Sequence, residues 1–468
     1  MLKFLAFGIR HSALTSVVSC ALLTATSGAQ PPAARLLAWE DFSPPVRARL
    51  ESSGITAASL PRFLEGLEEA HARRVREGDL DHLVFYALQS RHFTTLPPIE
   101  PALSAMAFTT TSQVPPEVRA RLSTLLRAVD SPDRDPRLTY FRALVKTAFP
   151  DLRGREAALE REYARAMRFL YRKEFVAQRS VDPADAVAEL YRTRGLSTDT
   201  AVEAGYAVYL GLGVLRSLDP GRRVRRVLIV GPGLDLAPRT ALIDEAPPES
   251  YQPWAVIDAL VGLGLAQLDE LQVVAADINP RVVDHLQRER SAPPLLRLVS
   301  GLRQTRQLSL EKDYREYFAQ LGNAISASRE AVTEPNGRLT KVAQVMPSVA
   351  RVLSAARLDV VTERLDGPPF DLVIATNILP YFNDVELAFA IGNIAAMLSP
   401  GGALLHNEPR PALRELASAA GMPLEQSRQA PIARVAGAPP LADTIWLHRR
   451  AAFKGSGLMA QGLCWLRH

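Results

Sequence analysis

The stretch Val227-Leu-Ile-Val-Gly-Pro-Gly-Leu-Asp235 decides how this chain folds. Consecutive apolar residues that break into two glycines, one residue apart, predict a buried strand that turns sharply at its carboxyl end. Runs of the same kind follow in Leu271-Gln-Val-Val-Ala-Ala-Asp-Ile278, in Phe370-Asp-Leu-Val-Ile-Ala-Thr-Asn377, and in Ala403-Leu-Leu405 after the turn Leu398-Ser-Pro-Gly-Gly402. Such strands alternate with helical stretches. A strand buried on both faces carries no polar alternation, so the pattern predicts an α/β fold with a doubly wound, mostly parallel sheet.

Ligands of these sheets sit in the crevice outside the carboxyl ends of the strands. Gly231, Gly233, Asp277 and Asn377 all fall at those ends. The glycines permit positive φ and let backbone approach a ligand without a Cβ in the way. Asp277 is a carboxylate closing an apolar strand, suited to accept hydrogen bonds from two ribose hydroxyls. A dinucleotide fingerprint needs a third small residue three positions after the second glycine and an acid about 20 residues further on. Here Leu236 stands at the first position and Asp277 lies much farther along, so a nucleotide-binding oxidoreductase is the poorer reading.

Residues 222–450 resemble a class I S-adenosylmethionine-dependent methyltransferase domain, a seven-stranded Rossmann-like sheet. The resemblance implies S-adenosyl-L-methionine as cofactor: Gly231 and Gly233 match the loop that holds the methionine part, Asp277 the ribose-binding acid, and Ile278 the neighbour that packs on adenine. The run Asn377-Ile-Leu-Pro-Tyr-Phe382 is similar to the Asn-x-Leu-x-Tyr-Phe of the chemotaxis-receptor glutamate methyltransferases. Their Pro-Gly-Gly turn and His-x-Glu are echoed in Pro400-Gly-Gly402 and His406-Asn-Glu408. The likeness spans roughly half the chain. It departs from the family at Ile229, where an acid is usual, and at Asp235, which replaces a third glycine and is a candidate contact to the ligand's ammonium. The Asn-Pro-Pro-Tyr of amino-group methyltransferases is absent, since Ile378 and Leu379 separate Asn377 from Pro380 and Tyr381.

Methyl transfer from a sulfonium is a direct displacement, which asks the protein mainly to align the reactants and exclude water. A base is needed only when the acceptor holds a proton tightly. Asn377 and Tyr381 are the candidates nearest the acceptor, Asn377 bordering the cofactor as well, with His406 or Glu408 as proton acceptor or orienting group. Each has a plainer reading: Asn377 as a turn cap, Tyr381 as packing, His406 as a satisfied polar residue. No histidine spacing builds a metal site, and Asp130, Asp133 and Asp135 lack the central Gly and final Glu of a calcium loop.

At 468 residues the chain exceeds the usual single-core size, which predicts two domains. Its composition, 47% hydrophobic and 22% charged, is ordinary for a globular protein. The formal net charge of +5 is spread over dispersed arginines rather than one basic block, so nucleic acid is not an expected partner. Residues 1–29 read as a secretory signal: Lys3 and Arg10 precede the apolar stretch Ala13 to Leu23, and Ser27-Gly-Ala29 has the character of a cleavage site. With Cys20 removed, Cys464 stands alone and forms no intramolecular disulfide. No second long apolar segment follows, so no transmembrane span is expected after signal removal. Export, to a periplasm or the exterior, conflicts with a cytosolic cofactor; without a functioning signal the location is cytoplasmic.

Residues 30–45 read as a Pro/Ala-rich linker. Residues 46–218 form an all-helical amino-terminal domain of about six to eight helices, punctuated by Pro97-Pro98, Pro115-Pro116, Pro132, Pro136 and Pro183. Its last helix starts at the cap-like Ser197-Thr198-Asp199, and the resemblance makes Arg194 to Asp199 candidate lid residues. A helical insertion is expected at 295–356, with an aromatic stripe of Tyr314, Tyr317 and Phe318 that reads as core, followed by a third strand at Leu358-Asp-Val-Val361. Residues 451–468 are a tail. The leading reading is a methyltransferase acting on an unidentified small molecule or protein carboxylate. The alternative is a degenerate methyltransferase fold kept as an exported binding or scaffolding module.

Overall fold

The computed structural model describes residues 32–42, 44–131, 135–237 and 243–452. The expected signal at 1–29 and most of the tail lie outside them. Helices α1 (Pro44–Ser52), α2 (Leu60–Gln89), α3 (Pro101–Thr111), α4 (Pro116–Asp130), α5 (Pro136–Ala148), α6 (Arg155–Tyr171), α7 (Pro183–Thr193) and α8 (Val202–Leu218) precede the sheet. Most start at a proline in the first turn, where the missing N–H has no intrahelical partner to lose. No helix among the described residues is long and apolar enough to cross a membrane.

The sheet strands are β1 (Arg226–Val230), β2 (Gln272–Asp277), β3 (Leu353–Arg357), β4 (Phe370–Ala375), β5 (Leu398–His406), β6 (Leu424–Val435) and β7 (Leu441–Arg449). They run in the order β6-β7-β5-β4-β1-β2-β3. From β5 to β3 the pairing is parallel, with Leu228 opposite Val373 and Val274, and β7 runs antiparallel to both β5 and β6. The sheet has eight strands rather than the expected seven. The additional one, Leu308–Leu310, pairs with Arg434 and its neighbours and covers the edge that β6 would otherwise leave open.

Three expectations are corrected. Residues 30–45 are no mere linker: Ala34–Leu36 pairs antiparallel with Glu363–Leu365, and Trp39–Asp41 forms a turn of 3-10 helix. The region 295–356 is not a purely helical insertion. Leu295–Val299, Thr340–Val345 and Ser326–Arg329 form their own antiparallel sheet, with helices at Lys312–Gln320 and Pro347–Ala350. The third strand is β3, in a stretch expected to be helical; the helix that opens at Pro347 ends at Ala350, and Leu358-Asp-Val-Val361 forms the loop beyond the strand. Short apolar runs carry no period that separates the two states. Tyr314 and Phe318 are fully buried, as core residues.

The core ignores the expected boundary at 218–222. Leu60 and Leu64 of α2 pack in one cluster with Leu228 and Val373, while Leu83 to Leu88 join a second that includes Val227 and Ile374 on the other face of the sheet. Each wholly buried leucine contributes about 1.5–3 kcal/mol over an exposed one. The helical layer and the sheet therefore stabilise each other.

Candidate functional site

At the end of β1 the chain turns through Gly231 and Gly233 at φ of +66° and +75°, values that an L side chain rarely adopts. The surroundings are as restrictive as the angles. A Cβ on Gly231 would stand 2.2 Å from Ile378 Cγ2, and one on Gly233 would stand 2.2 Å from Thr200 Oγ1. The strap from Arg194 to Ala201, not a helix start, lies over this turn: Leu234 N donates to Thr198 O at 2.9 Å and Thr198 Oγ1 donates to Leu234 O at 2.8 Å. Helix α8 begins only at Val202.

Beneath the strap is a cavity of about 370 Å³, within the range of small-molecule sites. Gly231, Gly233, Asp277, Ile278, Asn377 and Tyr381 all line it. Asp277 closes β2 with its carboxyl buried and without an ion pair among the described residues; Oδ1 accepts from Asn279 N at 2.8 Å. Burial pushes its pKa up to about 7, against the backbone donors of Asn279, Gly233 and Ile278. Asn377 adopts φ of +62°, and its side chain is bonded to Asn407, whose Nδ2 donates to Asn377 Oδ1 at 2.8 Å. Tyr381 meets Tyr191 edge to face at 5.3 Å.

Three expected residues stand apart from the cavity walls. His406 is buried in the sheet, 5.0 Å from the His448 ring; burial, then that neighbour, hold its pKa well below 6.5, so it is a neutral core residue and no exposed base. Glu408 accepts from Arg410 Nε at 3.0 Å, and Arg410 in turn donates to Leu379 O and Phe382 O, so this pair fixes the loop after β4. Asp235 donates its backbone N–H to Glu249 O at 2.9 Å, with Oδ1 lacking a hydrogen-bond partner among the described residues. Burial, and then Asp199, raise its pKa well above the carboxylate range.

Helix α2 supplies what the sequence reading missed. His71 lines the cavity and is wedged between two acids, with Nδ1 2.6 Å from Asp359 Oδ2 and Nε2 3.3 Å from Glu386 Oε1. Burial lowers its pKa, but the two carboxylates outweigh burial and hold it at about 9. Arg74 donates to three carbonyls, Arg194 O, Tyr191 O and Tyr381 O, and so ties strap, α7 and the β4 loop together. His71, Val75, Asp79 and His82 fall at spacings of three and four, one helix face. That polar stripe was the available signal, and it reads equally as a solvated face. Asp359, just past β3, was hidden by the misplaced third strand. Among the described residues no group of three or more His, Cys, Asp or Glu could hold a metal ion.

No family model matches the sequence, and no curated protein matches it. Solved structures to which the chain is similar include the N-methyltransferase NodS from Bradyrhizobium japonicum WM9 in complex with S-adenosyl-L-homocysteine. The identity is 13%, over 52% of this chain and 87% of that one, at a TM-score of 0.28. Magnesium protoporphyrin IX methyltransferase from Synechocystis PCC 6803 with bound SAM shares 11% identity over 58% and 99%, TM-score 0.27. The CurJ carbon methyltransferase shares 14% over 85% and 98%, TM-score 0.29. Likenesses this distant assign no residue a role. The chain's own strand order and directions describe a doubly wound sheet, parallel from β5 to β3 and reversed at β7.

Proposed function

We propose that the protein binds S-adenosyl-L-methionine in this cavity and transfers its methyl group to an acceptor. The observation that carries the reading is convergence: the glycine turn, the buried acid ending β2, Ile278 and the loop after β4 border one cavity at the carboxyl edge of the sheet. A buried carboxyl with no ion pair among the described residues and a turn that tolerates no side chain fit a ligand with a ribose and a charged amino-acid end.

When bound, the cofactor supplies an activated methyl on a sulfonium, so the leaving group needs no acid. The chain's residues then bind, orient and dehydrate. Asp277 would accept from the ribose hydroxyls, the Gly231–Gly233 turn would admit the methionine portion beneath the strap, and Ile278 would pack against the base. Asn377 and Tyr381, at the end of β4, border the place left for the acceptor. Asn377 is held by Asn407 and Tyr381 by Arg74, so both act by placement. His406 abstracts no proton in this scheme, and Glu408 acts through Arg410 on the shape of the loop.

Calorimetric titration with S-adenosylhomocysteine tests the proposal. Binding is expected in the wild type and about 10–100-fold weaker in Asp277→Ala, the loss of one or two hydrogen bonds to a charged group. No heat with either S-adenosylmethionine or S-adenosylhomocysteine at high concentration would refute it.

A further inference from the structure

The acid that ends β2 is not held by the sheet alone. Asn279 links it to the helical layer: its backbone N–H donates to Asp277 Oδ1 at 2.8 Å, its Oδ1 caps the helix Pro280–Ser291 through Arg281 N at 3.0 Å, and its Nδ2 donates to Asp79 Oδ1 at 3.0 Å. Asp79 sits on α2, 1% exposed. The same carboxylate accepts from Tyr140 Oη at 2.6 Å and pairs with Arg281, whose guanidinium lies over the Tyr140 ring at 5.0 Å. A carboxylate that is buried, multiply bonded and rigid on a long helix leaves Asn279 little rotational freedom. Without it, the Asn279 amide would lose its buried acceptor and the β2–helix turn would be free to reorient.

We propose that Asp79 is a positioning residue for the ligand's ribose: through Asn279 it fixes the turn that aims Asp277, so the helical layer sets how well the site reads the sugar hydroxyls. This rests on the functional reading above, in which Asp277 receives a ribose. The role separates from mere support of the fold, because a support residue alters affinity for every ligand alike, whereas an aiming residue alters only ligands that carry the hydroxyls being read.

The experiment compares S-adenosylhomocysteine with its 2′,3′-dideoxy counterpart on the full chain, for wild type, Asp79→Ala and Asn279→Ser. The serine keeps an oxygen for the helix cap and removes only the amide that reaches Asp79. The wild type should prefer the ribo ligand by tenfold or more, and both variants should lose most of that preference while binding the dideoxy ligand as the wild type does. Asn279→Ser alone decides the matter should Asp79→Ala fail to fold. Equal loss for both ligands, or no change for either, overturns the positioning role and leaves the functional reading standing. Failure of the wild type to bind S-adenosylhomocysteine overturns both.

Discussion

His71 shows how one side chain couples the helical layer to the sheet. In the unfolded chain its imidazole titrates near 6.5, and between Asp359 and Glu386 it titrates at about 9, so the folded state holds the proton more tightly. The stabilisation is fully present below about pH 6.5 and is lost as pH rises through 9. Its size is on the order of 3 kcal/mol. Urea unfolding of wild type and His71→Gln across pH 6 to 10 should show the wild-type advantage shrinking on the alkaline side; parallel curves would rule the coupling out. Asp277 gives the opposite dependence, in affinity rather than stability. Its pKa is raised to about 7 by burial, and only the ionised form accepts both hydroxyl bonds, so S-adenosylhomocysteine should bind more weakly as pH falls below 7. Asp277 was legible in the sequence because a carboxylate closing an apolar strand has few structural excuses. His406 was not: nothing near it in sequence reveals that β7 lays Trp446 and His448 against its ring.

Two glycines on α2, alike in sequence, differ sharply in the fold. A Cβ on Gly78 would stand 1.8 Å from Leu196 O, a backbone atom of the strap, whereas a Cβ on Gly66 meets nothing within 4 Å. Gly78→Ala should therefore destabilise by about 1–3 kcal/mol and expose the strap to protease, because the strap's backbone must move away. Gly66→Ala should stabilise by about 0.4–1 kcal/mol, since it removes only unfolded-state freedom. Chemical denaturation of the pair separates the two, and similar values would show that the strap is not seated on α2. The strands β1, β2 and β4 were legible because each is a run of buried apolar residues with a breaker behind it. β3 was not, since Leu353-Ser-Ala-Ala-Arg357 lacks β-branched residues and follows a proline that opens a helix. The insertion's own sheet was hidden for a related reason: its strands are short, and their pairing partners lie far along the chain.

At the scale of the molecule, the helical layer and the sheet share their core, and the cavity takes its roof from one and its floor from the other. Scanning calorimetry should accordingly give one cooperative transition, where two independent domains would give two. Saturating S-adenosylhomocysteine at about 100 times its Kd should stabilise that transition by about 2.7 kcal/mol. In the sequence long α2 reads as a helix among helices, and only its contacts reveal that it is a wall of the site. The most direct measurement of the central claim is a crystal structure of the protein with S-adenosylhomocysteine. The ligand should lie in the cavity with its ribose on Asp277 and its homocysteine end at the Gly231–Gly233 turn. A ligand bound elsewhere, or with its ribose turned away from Asp277, would contradict the account.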